Sequence, residues 1–273
     1  MKRFCRTVVL FALAAGLAGC ASMDASTKQR QVASMLSFLF PGSDEPPAPT
    51  QAVAVLNVPF KIGVAFVPDE ADPTFRRSEA DRLNLAAQVR DAFSGYPFVR
   101  EIVTVPSLYL EPGGGFANLD RVASLLQVDV IALVSYDQVQ HADASGWSFL
   151  YWTGIGAYVI EGDRYDVLTA LETAVFDIRS RRMLMRAAGT SNVKGSATMV
   201  GFSERSREAR LTSFEEAVAQ MIGSLHNEVK AFRDRAPTDP NVKLVLPPGY
   251  DPRSFRGPAP VPAPAPRPVP PPG

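Results

Sequence analysis

Asp129 to Tyr136 reads DVIALVSY, and its central residues Val130 to Val134 are all apolar. A strand built from such a run has no face to offer water, so it needs cover on both sides, as in a sheet packed between helices. The neighbouring sequence supplies that cover. Leu119 to Gln127 has helical spacing, with Asn118 as its candidate cap and Val122, Leu125 and Leu126 directed inward. Further upstream, Val99 to Val105 reads as a strand. Ser78 to Ser94 reads as a helix, with Ser78 and Asp81 suited to an N-cap and with Leu83, Ala86, Ala87, Arg90 and Phe93 on one side. Gly95 and Pro97 stop that helix, and Lys61 to Val67 (KIGVAFV), closed by Pro68, is another short buried strand.

Downstream, Val167 to Ile178 and Met183 to Thr190 are two strands joined only by Arg179-Ser180-Arg181-Arg182, which predicts an antiparallel hairpin. Phe202 to Arg235 then carries Leu211, Phe214, Val218, Met221, Ile222, Leu225, Val229 and Phe232 at steps of three and four, the stripe of a long helix. Its charged residues, among them Glu204, Arg207, Glu215, Glu216 and Lys230, form the solvated side. The fold class expected is α/β: a mixed sheet of about five strands covered by helices, with a long C-terminal helix and disordered tails. At fold level this order resembles the periplasmic α/β domains of curli-secretion lipoproteins and of the Tol-system propeller protein.

The ends carry different information. Lys2, Arg3 and Arg6 precede an apolar run from Val8 to Leu17, and Leu17-Ala18-Gly19-Cys20 closes it with small residues. The run is shorter than the roughly 20 residues a membrane-spanning helix needs. This pattern resembles a bacterial lipobox, whose cysteine is acylated and becomes the first residue of the mature chain. Several acyl chains on Cys20 would hold the protein stably to one leaflet, where a single chain binds only marginally. Ala21 and Ser22 follow the cysteine with no Asp directly after it, which by likeness to lipoprotein sorting rules points to a lipid-anchored, periplasm-facing protein of the outer membrane. The organisation expected is a signal peptide over 1–19, then a lipid-anchored tether, short helix and Pro-rich linker over 20–50. A single α/β domain over 51–250 and a Pro-rich tail over 251–273 complete it. Within the second of these, Ser22 to Lys28 reads as tether and Gln31 to Phe40 as helix, stopped by Pro41-Gly42.

Composition narrows function. Removal of Met1 to Gly19 takes away three basic residues and no acidic one, leaving 25 of the 28 Lys and Arg against 28 Asp and Glu, a balance of −3. That is not the basic footprint of a nucleic-acid binder. The only other cysteine, Cys5, falls in the removed segment, so no thiol is left for a disulfide, a metal or nucleophilic catalysis. His141 and His226 are the two imidazoles, and neither has a partner at ligand spacing, so no metal and no cofactor are expected. Gly113-Gly114-Gly115 lacks the spacing of a dinucleotide fingerprint or a P-loop and reads as a turn device. No Gly-x-Ser-x-Gly elbow is present, and no catalytic residues are assigned. The unusual stretch is Trp147 to Ile160 (WSFLYWTGIGAYVI), uncharged and aromatic. Trp147, Tyr151, Trp152 and Tyr158 are the candidate partner-binding residues, because aromatics with an apolar body and a polar tip suit protein and membrane interfaces alike, while a buried core element is the other reading of the same stretch.

Several of these stretches, taken as a set, resemble the rhombotarget lipoproteins. The residues that carry the likeness are Phe38 to Pro41, Gly63 to Pro68, and Tyr109 to Phe116 with Asn118-Leu119-Asp120. Ser135 to Gln140, Tyr151-Trp152-Thr153 with Gly156-Ala157-Tyr158, Phe176-Asp177-Ile178 and Ser180-Arg181 complete them. The resemblance implies a lipoprotein of bacteria that carry rhombosortase, an intramembrane sorting protease. It brings no site residue except the acylated Cys20. The Pro-rich tail carries no Gly-Gly, hydrophobic helix and basic cluster of the kind such a protease recognises, so the protein is not expected to be a processing substrate itself. The function expected is a non-enzymatic, membrane-anchored accessory or binding component of the cell envelope, with an envelope protein as partner. The alternatives are a hydrolase acting on wall or lipid through carboxylates such as Asp137, Asp166 and Asp177, and an export-complex component resembling the curli-secretion lipoproteins.

Overall fold

The computed structural model describes residues 27–32, 35–42, 51–68, 78–144, 163–198, 201–251 and 255. In chain order they form β1 (Thr27–Val32), α1 (Met35–Leu39), β2 (Ala54–Asn57), β3 (Phe60–Phe66), α2 (Glu79–Phe93) and β4 (Val99–Val105). A 3₁₀ turn (Ser107–Tyr109) precedes α3 (Gly115–Leu126), β5 (Val130–Ala144), β6 (Asp163–Asp177), β7 (Arg182–Ala197), α4 (Phe202–Arg235) and β8 (Val242–Val245). The main sheet has the order β4-β3-β5-β6-β7, and β1 also pairs with β5. This is the expected α/β class, with β1 as a further strand.

β3 lies parallel to both β4 and β5, with Ile62 opposite Val130 and Phe66 opposite Val134. The chain therefore leaves β3 through α2 toward β4, then returns through α3 across β3 to β5. Crossovers of one hand that run in opposite directions place their helices on opposite faces. The packing agrees: Phe116 of α3 meets Phe176 edge-on at 5.8 Å, whereas the neighbouring Val175 lies with Val89 and Phe93 of α2 on the other face. Both faces of DVIALVSY are thus covered, and Val130 to Val134 are all under 5 % exposed. The four-residue link between β6 and β7 leaves room only for an antiparallel pair. Its turn is closed by Asp177, whose carboxylate accepts from the backbone N–H of Ser180 at 3.0 Å and from the Ser180 hydroxyl.

Three features differ from the sequence reading. β1 takes up Gln31 and Val32, so the first helix is confined to Met35–Leu39. In α2 the cap is the expected one, with Ser78 Oγ accepting from the Asp81 N–H at 3.1 Å, but the buried side is Arg82, Leu85, Ala86, Val89 and Phe93. Leu83 and Arg90 face water. Arg82 stands on the buried side at 8 % exposure with its Nε buried too, so charge alone does not mark the outer face of this helix. In α3 the helix begins at Gly115 with Gly114 at the cap position, and Leu125 is 66 % exposed. Leu125 stands two turns along the same line as Asn118, beyond the segment that covers Asn118.

The sequence reading also missed a second sheet. β2 and β8 pair in parallel, Ala54 with Val242 through Asn57 with Val245, and bury Ala54 and Leu56.

Contacts divide the molecule into two compact units. The larger, drawn from 30–138, 168–191 and 212 onward, holds the core just described. Within it the backbone of β7 at Gly189 runs close against that of α4. A Cβ at Gly189 would lie 2.1 Å from the carbonyl oxygen of Ala217 and 2.5 Å from the amide nitrogen of Met221. Glu216 accepts from the Ser191 hydroxyl at 2.6 Å beside that contact. The smaller unit includes 139–144, 163–167, 192–198 and 201–211. There Lys194 pairs with Asp166 at 3.1 Å, the Arg210 guanidinium donates to Gln140, and Tyr165 meets Phe202 edge-on at 6.2 Å.

Candidate functional site

Cys20, Trp147, Tyr151, Trp152 and Tyr158 lie outside the described residues. The aromatic segment is the connection between β5 and β6, two 15-residue strands that are neighbours in the sheet. The remaining sequence candidates can be followed individually.

The Gly113-Gly114-Gly115 loop is a tight turn. Gly113 and Gly115 have φ of 64° and 58°, in the left-handed region. A Cβ on Gly114 would come within 2.7 Å of Asn118 Cβ and 2.9 Å of the Glu111 carbonyl oxygen. Asn118, instead of capping α3 from outside, sits in its first turn and folds back. It accepts from the Glu111 N–H and donates to the Tyr109 carbonyl, both at 3.0 Å. Each glycine is accounted for by the turn.

The three carboxylates singled out above are not gathered. Asp177 closes the hairpin turn, and Asp166 pairs with Lys194 near the other end of β6. Asp137 lies on β5. Among the described residues no three His, Cys, Asp or Glu side chains come together as a metal site.

One polar cluster of the larger unit lies where α2 ends and α4 passes over it. Gly95 and Pro97 turn the chain after α2 and drive Tyr96 inward, to 1 % exposure. Its hydroxyl is 2.8 Å from Nδ1 of His226, whose ring stacks on Phe93 at 4.3 Å between centroids. The Arg233 guanidinium lies over the rings of Tyr96 and Phe98, at 5.5 and 5.8 Å from their centroids, and donates to the carbonyl of Phe255. Phe255, within the stretch read as tail, is 2 % exposed and packs on Phe98. Burial raises the Tyr96 phenol above its usual pKa, partly offset by Arg233, and lowers that of the His226 imidazole. Both are neutral near pH 7. A phenol donating to Nδ1 leaves the imidazole proton on Nε2, which is buried with no hydrogen-bond partner among the described residues. The sequence reading puts His226 at the surface or the edge of the core, and the edge is where it lies.

Beside the cluster, between the sheet and helices α2 and α4, lies a cavity of about 50 Å³ lined by side chains including Val89, Phe93, Tyr96, Val175, Leu225 and Phe232. An apolar void of this kind excludes water and offers a reactant no charge or acceptor. The Tyr96–His226 pair thus faces apolar side chains on its inner side, and its chemistry in this structure is that of a part-buried, titratable contact. Sequence reading passed over Tyr96, Arg233 and Phe255. The only signal was the run Tyr96-Pro97-Phe98 directly after a helix stop.

No protein-family model matches the chain, and no curated protein does. Among solved structures, the chain is similar to a dodecamer of a PelC point variant from Paraburkholderia phytofirmans, at 10% sequence identity and a TM-score of 0.28, over 73% of this chain and 95% of that one.

Proposed function

We propose that this protein is an acylated accessory component of the cell envelope that binds a protein partner there without catalysing a reaction, and that its setting is rhombosortase-type protein sorting. The observation that carries the reading is Leu17-Ala18-Gly19-Cys20 at the end of a basic-then-apolar leader. The resemblance to rhombotarget lipoproteins supports the setting. The outer membrane is the proposed location, on the strength of Ala21 and Ser22 after the cysteine. Trp147 to Ile160 is the proposed partner surface, an uncharged aromatic connection between two long strands.

Two measurements test this. In cells, Cys20→Ser leaves an unprocessed precursor that incorporates no lipid label; labelling that persists overturns the anchor. Crosslinking of the membrane-held protein recovers one defined envelope protein, and Trp152→Ser loses it while the urea midpoint stays within experimental scatter. Recovery of bulk lipoproteins alone, or a midpoint that collapses in Trp152→Ser, overturns the partner surface.

A further inference from the structure

Apolar side chains stand exposed on two segments that meet at the start of α3. α1 turns Phe38 and Leu39 into the core and leaves Leu36 67 % exposed. The 3₁₀ turn leaves Leu108 88 % and Tyr109 41 % exposed. Both segments are pinned to the first turn of α3. Phe40 meets Phe116 at 5.9 Å, Gly115 approaches the Leu39 carbonyl so closely that a Cβ would be 3.1 Å from it, and Asn118 holds the Tyr109 carbonyl. The charges nearby are already engaged: Glu79 accepts from the Ser107 N–H and hydroxyl, and Glu111 pairs with Arg121 at 3.1 Å.

We propose that Leu36, Leu108 and Tyr109 are the surface on which the acylated protein lies against the leaflet that holds its anchor. This rests on the lipid-anchor reading of Cys20. Chain length argues for lipid as the occupant. Leu36 is sixteen residues from Cys20, so the two lie at most ~58 Å apart however the chain runs, within reach of the leaflet that holds the anchor. Three side chains are far fewer than the 20–30 residues a side of a stable protein interface. On a protein already tethered to a bilayer, however, a weak apolar contact becomes an intramolecular event and needs little intrinsic affinity. Leucines with a tyrosine beside them also suit the boundary between headgroups and acyl chains.

The test uses the full mature, acylated chain on vesicles of phosphatidylethanolamine and phosphatidylglycerol. Cys5 is removed with the leader and Cys20 is acylated, so Leu36→Cys and Leu108→Cys each introduce a single thiol for an environment-sensitive fluorophore. Leu168→Cys is the reference, 46 % exposed on β6 and eight residues, roughly 26 Å, from the Phe176 that touches α3. The expected result is a blue-shifted emission and several-fold weaker quenching by aqueous iodide at positions 36 and 108 than at 168. Equal quenching at all three positions, on protein whose mass spectrum shows the acylated cysteine, overturns this inference and leaves the anchor standing. A mass spectrum without acyl chains overturns both. Protection that vanishes on dilution to one copy per vesicle assigns the surface to a second copy of the chain and also overturns the inference.

Discussion

At the Ser213 end of α4 the buried polar atoms satisfy one another, whereas at the His226 end they do not. The Thr169 hydroxyl oxygen accepts from Gln138 Nε2 and from the Ser213 hydroxyl, each at 2.8 Å, and all three residues are buried. A little further along, the Thr173 hydroxyl is 2.8 Å from Sδ of Met221. None of these groups titrates, so that end has the same bonds at any ordinary pH. Thirteen residues on from Ser213, His226 bonds Tyr96 through one ring nitrogen and buries the other without a partner among the described residues. A closed network of neutral groups sets the register of a helix on a sheet and nothing more. A half-buried imidazole with one bonded nitrogen makes its part of the same helix answer to protons.

Between the two ends lies the crossing at Gly189, and the largest expected effect is there. Gly189→Ala puts a methyl group 2.1 Å from a backbone carbonyl oxygen of α4, which only a shift of the helix can relieve. Overpacking against backbone costs about 3 kcal/mol or more, so the urea midpoint should fall sharply or the protein should fail to accumulate. A midpoint near that of the wild type would mean that α4 is free to ride outward, and the contrast between its ends would lose its common support.

Thr169→Val is the next largest. It keeps the shape and removes the oxygen that serves two donors, taking one hydrogen bond each from Gln138 and Ser213, at about 1–3 kcal/mol. The loss should be independent of pH, measured by urea unfolding at neutral and at mildly acid pH. A loss that varied with pH would break the distinction between the ends.

The third effect concerns His226 and is a slope. Burial holds its folded pKa below the ordinary 6.5, so the unfolded chain takes up a proton first as the pH falls. Stability is therefore full above about pH 6.5 and drains away below it, down to the folded pKa. His226→Gln should narrow the difference from the wild type between about pH 7.5 and 5, because the variant has no proton to take up at that position. Parallel stability curves for the two proteins would show that the imidazole is not held neutral by the fold. The smallest effect is that of Leu125→Ser, expected within about 0.5 kcal/mol since the side chain is mostly in water; a larger loss would return Leu125 to the core.

Much of the architecture was legible because the signals were local. Apolar runs gave β3, β4 and β5, helical spacing gave α4 from Phe202 to Arg235, and Ser78 announced its own helix. β2 and β8 escaped notice because each is four residues long, β2 alternating between buried and exposed positions and β8 between half-buried and exposed ones, and nothing in either names a partner so far away along the chain. The buried side of α2 includes an arginine, which charge alone would place outside. The position of Leu125 turned on where a loop stops covering α3.

The same division holds for the candidate sites. The proposal for Cys20 rests on a short motif at the end of the leader alone, since a processing signal is read as a linear peptide before any fold exists. The five aromatics of the β5–β6 connection, the four candidates and Phe149, are likewise a matter of composition. Tyr96, His226, Arg233 and Phe255 carry no mark in one dimension, being spread over more than half of the chain. They become a cluster only where α2 ends under α4, because burial and the pKa shifts that follow from it are properties of the packed surroundings and not of the residue. Gly189 is the same case in reverse: a glycine in a strand is unremarkable until a helix backbone lies against it.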